Sequence, residues 1–96
     1  MKTGEVLREF RQEKRLTQVQ VSERAKVSQT FLSQLEAGIK NPSPKMLKKL
    51  CDLYGIPTVF VFWKATTESD VQKNKITAFR KIKPAMDELI DQFLKK

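Results

Sequence analysis

Up to Gly55, apolar residues recur at helical spacing in four short runs, each closed off by a polar turn. Val6, Leu7 and Phe10 share one side of a first predicted helix, from about Thr3 to Lys14. A second, from about Gln18 to Ala25, has Thr17 as its N-cap and turns Val21 and Ala25 inward, one turn apart. Ser28 caps a third, from about Gln29 to Ala37, whose core pair is Leu32 and Leu35 and whose left-handed stop is Gly38. In the loop Asn41-Pro42-Ser43-Pro44, Ser43 is the next cap and Pro44 fits the first helical position. Leu47, Leu50, Cys51 and Tyr54 then form one buried stripe, ended by Gly55. From Thr58 to Trp63 the β-branched and aromatic residues fit either a strand or a short buried helix.

The pattern changes after Trp63. Residues 64–75 are polar and read as a linker, and Phe79, Ile82, Met86, Leu89 and Phe93 then recur at spacings of three and four. Pro84 interrupts that stripe, so a kinked helix or a new helix starting near Pro84 is expected. Such a stripe needs cover, from its own domain or from a second copy, and a homodimer interface is the preferred reading. Phe60, Phe62 and Trp63 belong either to that interface or to the core. The expected fold is all-α: a helical domain over 1–63, a linker over 64–75, and an amphipathic helical segment over 76–96 for dimerisation or for capture of a protein partner.

Ninety-six residues are enough for one small core. Nineteen basic residues against eleven acidic ones give a net charge of +8, which favours a polyanionic partner. With no histidine and one cysteine, Cys51, an internal disulfide, a structural zinc site and histidine-based catalysis are excluded. No glycine-rich phosphate loop or carboxylate pair is proposed either, so the expectation is a protein that is not an enzyme and uses no cofactor or metal. No apolar run approaches the roughly 18 residues of a membrane span, and the start lacks a secretory signal, so no membrane partner and a cytoplasmic location are expected.

Two short helices joined by a turn of about three residues are the arrangement that seats a second helix in a DNA major groove. With Leu32 at the core, steps of about 100° place Gln29, Thr30, Ser33, Gln34 and Ala37 on the opposite arc. Glutamine pairs with adenine N6 and N7, and a threonine methyl contacts thymine, so Gln29, Thr30 and Gln34 are the main expected base contacts, with Ser33 a weaker one. The alternative is a merely solvated face. Expected phosphate contacts are Thr17, Gln18, Lys40, Asn41 and Lys45, with Ser28 both capping its helix and exposing amide donors.

Residues 4–62 resemble the Cro and phage-repressor, or XRE-like, family. The likeness rests on Leu16-Thr17-Gln18, Val27-Ser28, the run Leu32-Ser33-Gln34-Leu35-Glu36-Ala37-Gly38, Asn41-Pro42-Ser43 and Gly55-Ile56-Pro57. It implies a compact five-helix, lambda-repressor-like domain, with a short fifth helix over Thr58–Phe62, that binds double-stranded DNA at palindromic operators as a dimer. It also implies an ion pair between Arg11 and Glu36, and a Gln18 that bridges phosphate and recognition helix. Lys26 and Arg15 depart from the family by standing where glycine is common; both are expected at positive φ, with Lys26 offsetting strain by phosphate attraction. Ser22 replaces a small alanine, so its hydroxyl needs a carbonyl. The expected function is a transcriptional regulator, a repressor acting as a homodimer. The alternative is an antitoxin-type module whose C-terminal helix captures a partner protein and whose DNA binding is autoregulatory.

Overall fold

The computed structural model describes residues 1–95; Lys96, the last residue of the expected C-terminal segment, lies outside them. Those residues form helices α1 (Thr3–Glu13), α2 (Gln18–Ala25), α3 (Gln29–Glu36), α4 (Pro44–Tyr54), α5 (Thr58–Ala65) and α6 (Ile76–Leu94), with short 3-10 turns at Glu68–Asp70 and Lys73–Lys75, and no strand.

The starts of α2, α3 and α4 are written in side-chain oxygens. Thr17 Oγ1 accepts from the Gln20 amide at 3.1 Å while the Gln20 side chain accepts from the Thr17 amide at 2.9 Å, a reciprocal box. Ser28 accepts from the Phe31 amide at 3.0 Å and Ser43 from the Met46 amide at 3.1 Å. Each such cap stabilises its helix by about 1 kcal/mol. The chain leaves α1 to α4 through left-handed residues: Gly38 and Gly55 have φ of 78° and 68°, and the side-chain-bearing Arg15 and Lys26 have φ of 56° and 58°. Ser22 donates to the Val19 carbonyl at 2.8 Å.

Val6, Leu7 and Phe10 of α1 meet Val21 and Ala25 of α2, Leu32 and Leu35 of α3, and Leu47, Leu50, Cys51 and Tyr54 of α4 in one buried cluster. Thr58–Ala65 is a helix, so the strand option falls; Val61 and Ala65 close the core, and the Lys2 amide donates to the Ala65 carbonyl at 2.8 Å. The helix therefore extends into the stretch expected to be linker. Gly4 carries a constraint of a different kind: a Cβ there would overlap the Leu35 carbonyl oxygen and crowd that of Glu36. Without a side chain at Gly4, the start of α1 crosses the end of α3 at backbone contact.

α6 runs unbroken through Pro84, so no second helix begins there. Its docking face differs from the expected stripe. Ile90 is buried and Leu94 packs against the core, although neither was in the stripe. Phe79 turns to Trp63, with ring centroids 6.3 Å apart, and Phe93 meets Phe60 edge-on at 5.1 Å. Lys83 Nζ donates to the carbonyls of Trp63 (2.8 Å) and Lys64 (3.0 Å) and pairs with Asp87 at 2.9 Å, capping the end of α5. Ile82, Met86 and Leu89 stay exposed.

Candidate nucleic-acid interface

The turn between α2 and α3 is Lys26-Val27-Ser28. Lys26 reverses the chain in the left-handed region, and the Val27 amide bonds back to the Ser22 carbonyl at 3.0 Å. That fixes where α3 starts. With Leu32 and Leu35 in the core, Gln29, Thr30, Ser33 and Ala37 are exposed and Gln34 is half-buried. Beyond α3, the Gln34 carbonyl accepts from the amides of Ile39 (3.0 Å) and Lys40 (3.2 Å), folding the following loop back toward the helix end.

α3 is braced from behind by charge. Arg11 Nε donates to Glu36 Oε2 at 2.7 Å and Nη2 to Oε1 at 2.9 Å, while Nη1 donates to the Leu16 carbonyl at 2.8 Å. Both side chains are buried, and the hydrogen bond to Glu36 raises the Arg11 pKa above its ordinary value. Gln18 Nε2 donates to Glu36 Oε1 at 3.1 Å, so one carboxylate ties α1, α2 and α3 together. Tyr54 lies fully buried, and its Oη has no hydrogen-bond partner among the described residues. Burial pushes its phenol above the usual 10.0.

The other expected phosphate contacts surround this frame without forming one cluster. Thr17 and Ser28 use their hydroxyls to cap the starts of α2 and α3. Lys26 is exposed at the turn, Asn41 and Lys45 are exposed around the start of α4, and Lys40 Nζ sits 5.5 Å from the Phe31 ring centroid. Arg8, which drew no attention in the sequence, lines an open notch with Arg11, Gln18, Ser33, Glu36 and Ala37. Its signal was its place one helical turn before Arg11.

The helix-turn-helix family model matches residues 7–61, more than half of the chain, and the chain belongs to that family, in its Cro and phage-repressor group. It is 45% identical over 56 residues to the HTH-type transcriptional regulator DdrOP3 of Deinococcus deserti, covering 58% of this chain and 43% of that protein. It is 31% identical over 72 residues to the immunity repressor protein of Bacillus phage phi105, covering 75% of this chain and 50% of the relative. The chain thus spans about half the length of these curated relatives or less. The crystal structure of the clp gene regulator ClgR from Corynebacterium glutamicum is similar with a TM-score of 0.61 and 26% identity, over 93% of this chain and 83% of that one.

Proposed function

We propose that the protein is a sequence-specific, double-stranded-DNA-binding transcriptional regulator, a repressor that acts as a homodimer on a palindromic operator. The observation that carries the reading is the polar face of α3: Gln29, Thr30, Ser33 and Gln34 lie on one side of a helix whose other side is locked by Leu32, Leu35 and the Arg11–Glu36 pair. A rigid helix with amide and hydroxyl groups on its free face presents donors and acceptors that match base edges in the major groove. The net charge of +8 supplies attraction to the phosphate backbone. The likeness to a transcriptional regulator and to an immunity repressor points the same way.

Dimerisation is supported by the apolar surface left over after α6 docks. Val59 and Phe62 of α5 and Ile82, Met86, Leu89 and Phe93 of α6 are all exposed, Val59 by 63% and Leu89 by 58%. Large contiguous apolar patches on a protein surface mark interaction sites. A second copy is the occupant that suits a palindrome, whose two half-sites, about one DNA turn or roughly 34 Å apart, call for two α3 helices. Of the five stripe residues expected at the interface, Phe79 instead turns back onto Trp63 of its own chain. Selection from random duplex DNA tests the function: a palindrome with half-sites about one turn apart supports it, and salt-sensitive binding blind to sequence refutes it.

A further inference from the structure

We infer that the exposed face of α6 pairs antiparallel with α6 of a second copy, about a two-fold axis that crosses the helix beside Ala85. The inference rests on the homodimeric reading above and adds the direction of the pairing and the residues that set it. Two copies related by a two-fold axis lay the same helix against itself in one of two ways: parallel, with the axis along the helices, or antiparallel, with the axis across them.

The choice between them is made by charge. α6 carries the charged residues Arg80, Lys81, Lys83, Asp87, Glu88 and Asp91. Four of them are paired inside the chain: Arg80 with Glu68, Lys83 with Asp87, and Asp91 with Lys64. Lys81 and Glu88 are exposed and have no ion-pair partner among the described residues. Neither finds one along its own helix, because the positions three and four away hold no opposite charge. Steps of about 100° per residue set the two nearly in line, along one edge of the exposed stripe of Ile82, Met86 and Leu89, with the exposed Ala85 between. Parallel pairing sets Lys81 beside Lys81 and Glu88 beside Glu88, like against like. Antiparallel pairing about their midpoint sets Lys81 of each copy beside Glu88 of the other, twice per dimer, and lays Ile82 against the second copy's Met86 and Leu89. Opposite charges on the rim of an apolar seam fix its partner and its direction. The small side chain of Ala85 lets the helices approach where they cross.

Sedimentation of the full chain measures the dimer constant at low and high salt. Lys81→Glu and Glu88→Lys are each expected to weaken the dimer about tenfold at low salt, and less at high salt, because each turns two attractions into two repulsions. The double variant Lys81→Glu/Glu88→Lys should restore wild-type affinity. Thermal unfolding of the dilute monomer should be unchanged in all three, since both side chains are exposed. Oxidation gives an independent readout. Ala85→Cys should join two chains, whereas Leu89→Cys should not, since its two copies lie roughly 13 Å apart along the helices, beyond disulfide reach. Cys51 is buried and stays out of the reaction. Single reversals that leave the dimer constant unchanged, a double variant as weak as the singles, or a Leu89→Cys disulfide that forms as fast as that of Ala85→Cys would each overturn the antiparallel pairing and leave the homodimeric reading in place. A wild-type chain that stays monomeric at every concentration would overturn both and leave the face to a different protein. A dimer with the expected pattern that selects no DNA sequence would support the pairing and refute the regulatory reading alone.

Discussion

The bundle of α1 to α5 and the appended α6 carry the same helical periodicity and treat it differently. In the bundle, the residues that recur every three or four positions are withdrawn from water: Leu7, Phe10, Leu50 and Tyr54 are at most 1% exposed. In α6 the evenly spaced stripe stays half in water, with Ile82 51% exposed, while the neighbouring Ile90 does the docking. Periodicity says that a face needs cover; it does not say which element provides it. The bundle finds its cover within the chain, and the outer face of α6 is where the proposed second copy sits.

The contrast breaks first at Glu36. Glu36→Ala strands the buried Arg11 charge, so a loss of about 3–5 kcal/mol is expected by denaturant unfolding. A loss below about 1 kcal/mol would show the pair behaving as though it lay at the surface. Gly4→Ala should cost about 1–3 kcal/mol by the same measurement, because a methyl there meets backbone that cannot rotate away. An unchanged midpoint would mean that α1 and α3 separate freely. On the outer face of α6, Leu89→Ser should leave unfolding of the dilute monomer within about 0.5 kcal/mol of wild type yet shift sedimentation toward monomer. A large loss of monomer stability with no change in mass would make α6 an ordinary part of the bundle.

The smallest effect sharpens the core. Tyr54→Phe should be close to neutral near pH 7, since the buried Oη gives up no hydrogen bond. Because the folded pKa is raised above the usual 10.0, the tyrosine's contribution is fully present below that value and is lost as pH rises through it toward the folded pKa. Wild type should therefore lose melting temperature more steeply than Tyr54→Phe above about pH 10. Equal slopes in the two proteins would place the phenol in water. Tyr54 is the chain's single tyrosine, so the difference isolates it.

Much of the bundle was legible in the sequence because its signals are local. Thr17, Ser28 and Ser43 announced helix starts, Gly38 and Gly55 announced ends, and the glycine-like sites of Arg15 and Lys26 both have positive φ. The polar arc of α3 followed from a rotation of about 100° per residue once Leu32 was assigned to the core. What escaped depends on how helices cross. Gly4 matters only because the end of α3 lies against it, and Ile90 and Leu94 dock only because α6 returns along α5. Likewise, the bond from Gln18 to Glu36 and the sharing of one open notch by Arg8 and Ser33 join positions far apart in sequence. The extent of α5 was misjudged because Lys64 is polar while Ala65 is buried.

Sequence reading by α3 is tested most directly by equilibrium binding of wild type and Gln29→Ala to the selected duplex and to every single-base variant of one half-site. Gln29 is exposed at the first turn of α3, where truncation leaves the fold intact. The expected result is a loss of about 1–3 kcal/mol on the selected duplex, with discrimination relaxed at one base pair and kept at the others. An equal loss on every duplex, or none on any, would contradict a base-reading role for this face.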